Sequence, residues 1–126
     1  MTTRSVTIPE SHADIIEQSQ VVTLGTHGAD GFPQITALWF LRDDDGLIKV
    51  SLNTSRQKLK NLQTNPVASL FFIDPANPYR TLEIRAKAWI AADPAYTFAD
   101  KVGAKYGGAN LRDRDQPGES RVVVTF

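Results

Sequence analysis

A cluster of bases at an expected helix start is the feature of this chain most able to do chemistry. In SLNTSRQKLKN, residues 51–61, an apolar-alternating strand runs into a segment with two hydroxyl residues, Thr54 and Ser55, followed by Arg56, Lys58 and Lys60. The N-terminus is the positive end of a helix dipole, so cations there are locally unfavourable. Thr54 and Gln57 have the spacing of a capping box, which makes Thr54 the expected N-cap. Free backbone N–H groups, the Ser55 hydroxyl, Arg56 and Lys58 would then converge on one small volume, the makings of an anion site. On residue types alone, a solvent-facing basic helix is the stronger reading.

Other chemistries find little support. His12 and His27 are the only histidines, and neither lies in a signature for an activated serine. There is no cysteine, which removes disulfides, thiolate metal sites and cysteine nucleophiles together. The acidic run DDDG, residues 43–46, reads as a solvated hairpin turn, not as an ion loop. Neither G-x-x-x-x-G-K-[ST] nor G-x-G-x-x-G occurs, so a phosphate ligand would have to be held another way. Trp39 is the aromatic best placed for a flat ligand, although most aromatics here must serve the core. No residue has a persuasive claim as a general acid or base, and no catalytic or metal-binding residue is assigned.

The chain has 126 residues, 14 basic and 14 acidic, and an apolar fraction of 41%, as expected of one ordinary globular domain spanning 1–126. A zero net charge argues against a dedicated nucleic-acid binder and permits self-association. No apolar run approaches the roughly 18 residues of a membrane span, and no signal-peptide pattern opens the chain, so a cytoplasmic location is expected.

The bases must be positioned by the surrounding elements. Residues 8–20 read as a short first helix with Ile15 and Ile16 on its apolar face. Strands are expected over 21–26, 34–42 and 47–53, joined by turns at Asp30-Gly31 and at 43–46. The basic helix follows over 54–65, ended by Asn65-Pro66. Two further strands, 67–74 and 81–92, flank a loop at 75–80. In the second, Leu82, Ile84, Ala86, Ala88 and Ile90 share one face. Asp93 as N-cap and Pro94 predict a helix over 93–108, before a charged loop and a final strand over 121–126. Six strands dominated by hairpins point to a mainly β, antiparallel barrel that closes its own edges.

DGFPQITALWF, VSLNTSRQKLKNL, NPYRTLEIRAKA, VGAKYG and PGESRVVV, in that order, resemble the pyridoxamine-phosphate-oxidase-like split-barrel family, and more narrowly its actinobacterial branch that uses the deazaflavin coenzyme F-420. The resemblance implies a six-stranded antiparallel split β-barrel (a Greek-key, FMN-binding type) with short flanking helices. It implies a homodimer with two cofactor sites at the interface. The segment from Ser51 through Thr54 and Ser55 to Asn61 would receive the cofactor phosphate, with Arg56 and Lys58 as cationic contacts. Gln34, Ile35, Thr36 and Ala37 would run along the ring system, largely through backbone groups, and Pro78, Tyr79 and Arg80 would close over the cofactor. The implied activity is hydride transfer from reduced coenzyme F-420 to an electron-poor small-molecule acceptor such as an activated C=C bond or a quinone. An FMN-dependent oxidoreductase and a non-catalytic cofactor-binding protein are the alternatives. Relatives usually continue beyond the last strand, so a C-terminal tail is expected to be missing or very short here.

Overall fold

Two four-stranded antiparallel sheets pack face to face, and their inward side chains make the core. The computed structural model describes residues 7–126. The first sheet contains β1 (Val22–His27), β2 (Pro33–Leu38), β5 (Val67–Asp74) and β6 (Asn77–Lys87), in the order β2-β1-β5-β6. The second contains β3 (Leu41–Arg42), β4 (Ile48–Asn53), β7 (Trp89–Ala92) and β8 (Arg121–Thr125), in the order β3-β4-β8-β7. Among the described residues three α-helices, α1 (Ala13–Gln18), α2 (Gln57–Thr64) and α3 (Thr97–Lys105), flank them.

The chain therefore shows the mainly β, antiparallel split-barrel class, with two of the six expected strands divided. The run 34–42 breaks at Trp39 and Phe40, and the run 81–92 breaks at Ala88. At each break the chain leaves one sheet and enters the other, as strands do at the corners of a closed, strongly twisted pair of sheets. A backbone that leaves its ladder still needs partners. Phe40 finds them in side chains at the end of α3: its N–H donates to Tyr106 Oη at 3.1 Å, and its carbonyl accepts from Lys105 Nζ at 2.7 Å. The Ala88 N–H donates to the Pro66 carbonyl at 2.8 Å.

The core follows the expected periodicity. Leu82 and Ile84 point inward from β6 while Glu83 and Arg85 stay exposed. Ile15 and Ile16 of α1 are buried with them, as are Leu59 and Leu62 of α2. Gly46, at φ 81°, closes the 43–46 turn by donating to the Asp43 carbonyl at 2.8 Å.

Three local expectations are corrected. The first helix is a 3-10 turn (Glu10–His12) followed by α1, shorter than 8–20. The run 75–80 is a tight turn leading directly into β6, which begins at Asn77. The helix expected from Asp93 starts four residues later, at Thr97. Asp93 still caps it, but from a distance: its buried carboxylate accepts from the N–H groups of Phe98 at 3.2 Å and Ala99 at 3.0 Å. Tyr96 takes a left-handed conformation, φ 60°, to bring the chain round.

Candidate functional site

A groove of about 420 Å³ opens where the ends of β2 and β4 diverge, one strand from each sheet. Thr36, Ala37 and Leu38 supply one wall, and Ser51 to Asn53 supply the other. Arg56 and Lys58 stand at the entry to α2, Trp39, Arg114 and Arg121 add to the lining, and Val21, Val102 and Leu111 give it an apolar part.

The entry to α2 differs in detail from a capping box. Thr54 is not the N-cap. Its Oγ1 accepts from the Ser120 N–H at 3.1 Å, and its own N–H donates to the Ser120 carbonyl at 2.9 Å, so it ties the loop to the segment before β8. The helix begins at Gln57, with Arg56 as an N-cap that gives no side-chain hydrogen bond. The capping geometry is lost because Asn53 organises the turn first. Its Oδ1 accepts from both the N–H and the hydroxyl of Ser55, each at 2.8 Å. Such Asx geometry competes with a helical start. The first-turn N–H groups of Gln57 and Lys58 have no acceptor within the helix.

Beneath this loop lies an ion pair. Arg121 Nη2 donates to Asp115 Oδ1 at 2.9 Å, both side chains nearly fully buried. Asp115 also accepts from Tyr96 Oη at 2.6 Å and from Asn53 Nδ2 at 2.7 Å. Burial works to raise the Asp115 carboxyl, but the bonds from Arg121, Tyr96 and Asn53 outweigh it and hold the group below the usual carboxylate range. Arg121 is thereby neutralised and fixed, and Asp115 braces Asn53, which in turn fixes Ser55. Glu119 reaches the same turn: its Oε1 accepts from Asn53 Nδ2 at 3.1 Å and from the Gln116 N–H at 2.6 Å. The Ser55 hydroxyl beside it, with bonds from the Gln116 N–H and Asn53, holds Glu119 below its ordinary value. The single Ser55 proton is therefore already used within the protein.

Arg56 and Lys58 are different. Among the described residues neither has an ion-pair partner within 4.0 Å. Burial, and then repulsion from Arg56, lowers the Lys58 ammonium below its ordinary 10.5. Two uncompensated cations beside free helix N–H groups form a donor set for a phosphate.

The other sequence-derived site residues lie elsewhere in the single chain. Asn61 is buried, donating to Thr26 Oγ1 at 3.1 Å and to Gln34 Oε1 at 3.3 Å while accepting from Gln57 Nε2 at 2.9 Å. Asn61 and Gln34 thus brace α2 against β1 and β2. Ile35 is 64% exposed on the outer face of the first sheet. Pro78, Tyr79 and Arg80 open β6, away from the groove. Tyr79 is 95% exposed, whereas Arg80 pairs with Asp14 at 2.6 Å and Asp74 at 2.9 Å and donates to the Ser11 carbonyl. The groove adds Arg114 and Arg121, which sequence reasoning did not single out. The basic residues around the PGES turn were the available signal, but nothing in local spacing brings them beside Arg56.

Comparison with known proteins now has a geometry to attach to. The family model for pyridoxamine 5'-phosphate oxidase matches residues 8–126. The chain belongs to that family. Among solved structures it is similar to an F420 reductase, at 33% identity over 94% of this chain and 93% of that one, with a TM-score of 0.79. It is also similar to Rv2991, a conserved hypothetical protein of Mycobacterium tuberculosis, at 26% identity over 100% of this chain and 84% of that one, TM-score 0.73. The heme storage protein HutZ of Vibrio cholerae, at 17% identity over 89% of this chain and 84% of that one, TM-score 0.66, shares the fold. No curated protein matches significantly. The likeness to the F420 reductase supports the F-420-associated branch of the pyridoxamine 5'-phosphate oxidase family and an oxidoreductase-like, flavin- or deazaflavin-binding function. Among the described residues no helix is long and apolar enough to cross a membrane.

Proposed function

We propose that this chain is a coenzyme F-420-dependent reductase that passes hydride to an electron-poor small molecule. The observation that carries the reading is the uncompensated pair Arg56 and Lys58 at the open start of α2, inside a groove that is lined by both sheets. A phosphate placed there meets two cations and free N–H groups, a fit of charge and hydrogen bonding. When bound, the reduced coenzyme supplies the hydride, and the chemistry is the cofactor's own.

The residues of the chain bind and orient. Arg56 and Lys58 hold the phosphate, and the Asn53–Asp115–Arg121 brace keeps the turn carrying them rigid. Thr36 and Ala37 offer strand backbone along the groove for the ring system. On this reading a second copy of the chain covers the outer face of the first sheet, where Ile35, Phe71 and Ile73 are exposed, and brings its own Pro78, Tyr79 and Arg80 to the site. No side chain is given the role of proton donor.

The phosphate donor set would also accept FMN, so the deciding experiment is a side-by-side fluorescence titration with coenzyme F-420 and FMN. Micromolar binding of F-420, with weaker FMN binding and a colourless protein on purification, is the expected result. Failure to bind F-420 refutes the reading. Tight FMN binding alone replaces it with a flavin oxidoreductase.

A further inference from the structure

Trp39 sits in the groove with both faces of its indole covered. Tyr106 stacks on it with ring centres 4.3 Å apart and planes 4° from parallel. The Arg114 guanidinium lies over the same ring at 4.3 Å. Two flat groups so close to one ring centre cannot lie side by side in one layer, so they occupy opposite faces.

The two covers differ in how firmly they are held. The Tyr106 hydroxyl accepts from the Phe40 N–H at 3.1 Å, and its one proton lies between the Gln20 carbonyl at 2.8 Å and the Phe40 carbonyl at 3.1 Å. That face is permanently closed. Arg114, itself exposed, ends a 3-10 turn (Leu111–Arg114), and among the described residues it has no ion-pair partner. Its guanidinium is held by the indole, an interaction of modest strength at an exposed site. A guanidinium is also planar and delocalised, and it stacks on an aromatic face much as a flat ring does. Trp39 and Arg114 both line the groove that holds Arg56 and Lys58.

We propose that Arg114 is a displaceable cover and that the face of Trp39 beneath it is the stacking surface for the acceptor, which makes flat, conjugated rings the favoured substrate class. This rests on the oxidoreductase reading above. Trp39 and Arg114 are specificity-determining residues here: a planar acceptor takes the place of the guanidinium, and a puckered one gains nothing from doing so.

The test uses the full chain with bound coenzyme F-420 and two acceptors, naphthoquinone, which is flat, and cyclohexenone, which is not. Coenzyme affinity is measured first. Arg114→Ala is expected to lower KM for naphthoquinone by about two- to fivefold, the equivalent of one exposed cation–π contact, leaving kcat and coenzyme affinity unchanged. KM for cyclohexenone should stay constant. In a Trp89→Phe background, where Trp39 is the one remaining tryptophan, R114A should also make its fluorescence more accessible to acrylamide. Parallel KM shifts for the two acceptors, or a change in coenzyme affinity in place of KM, overturn the proposal alone. Absence of coenzyme binding by the unmodified protein overturns the oxidoreductase reading and this proposal with it.

Discussion

Helices α2 and α3 begin in opposite ways. The start of α3 receives an internal anion: Asp93 reaches across the left-handed turn at Tyr96 and puts its buried carboxylate on the Phe98 and Ala99 N–H groups. The start of α2 receives none from its own side chains, and Arg56 and Lys58 stand beside it in its place. Acids are present nearby, yet Asp115 is spent on Arg121 and Glu119 on Asn53 and the Gln116 N–H. The first helix start is completed for stability. The second is left with its positive charge uncancelled, a local rule broken where a ligand would mend it.

Removing the cations should have the largest effect. Arg56→Ala with Lys58→Ala is expected to weaken phosphate-bearing cofactor binding by about 3 kcal/mol, the scale of charge-assisted contacts. Thermal stability should remain unchanged, so calorimetric titration and a melting curve together separate the two roles. An equal loss of stability would show that the bases serve the fold. The mirror experiment is Asp93→Ala, which strips the cap from α3 and leaves buried N–H groups without partners. It should cost about 2 kcal/mol of unfolding free energy in urea and leave cofactor affinity intact. The smallest effect sharpens the contrast most. Arg56→Asp gives α2 the acid that its N-cap position lacks, and should stabilise the protein by about 1 kcal/mol while abolishing phosphate binding. Stability and function would then move in opposite directions at one residue.

Much of this architecture could be read from residue order. β-Branched runs, turn residues and the Asn65-Pro66 stop mark the strands and the end of α2, and alternation in 81–87 marks which side of β6 faces the core. The corners could not be read, because Trp39, Phe40 and Ala88 are as compatible with a continuous strand as their neighbours. What breaks the strand at Phe40 is a set of partners from Lys105 and Tyr106, far along the chain. The Thr54–Gln57 spacing misled for a similar reason: Asn53 and Ser120 claim the turn, and neither competitor belongs to the capping-box pattern. At the site, Arg56 and Lys58 were legible because cations at a helix start violate a local preference. Arg114 and Arg121 were not: the pairing of β4 with β8 brings Arg121 to the groove, and Arg114 comes to it from the 3-10 turn (Leu111–Arg114) that precedes that strand.

The groove spans the seam between the two sheets, with Thr36 to Leu38 on one side and Ser51 to Asn53 on the other. The chain crosses that seam at Trp39-Phe40 and at Ala88, through short corners. The chain crosses once more through α2, between β4 and β5, so a ligand gripping both walls is a fourth crossing, and a non-covalent one. It ties the sheets together mechanically, so hydrogen exchange should slow in β2 and β4 at once upon binding, even though no strand of one sheet pairs with a strand of the other.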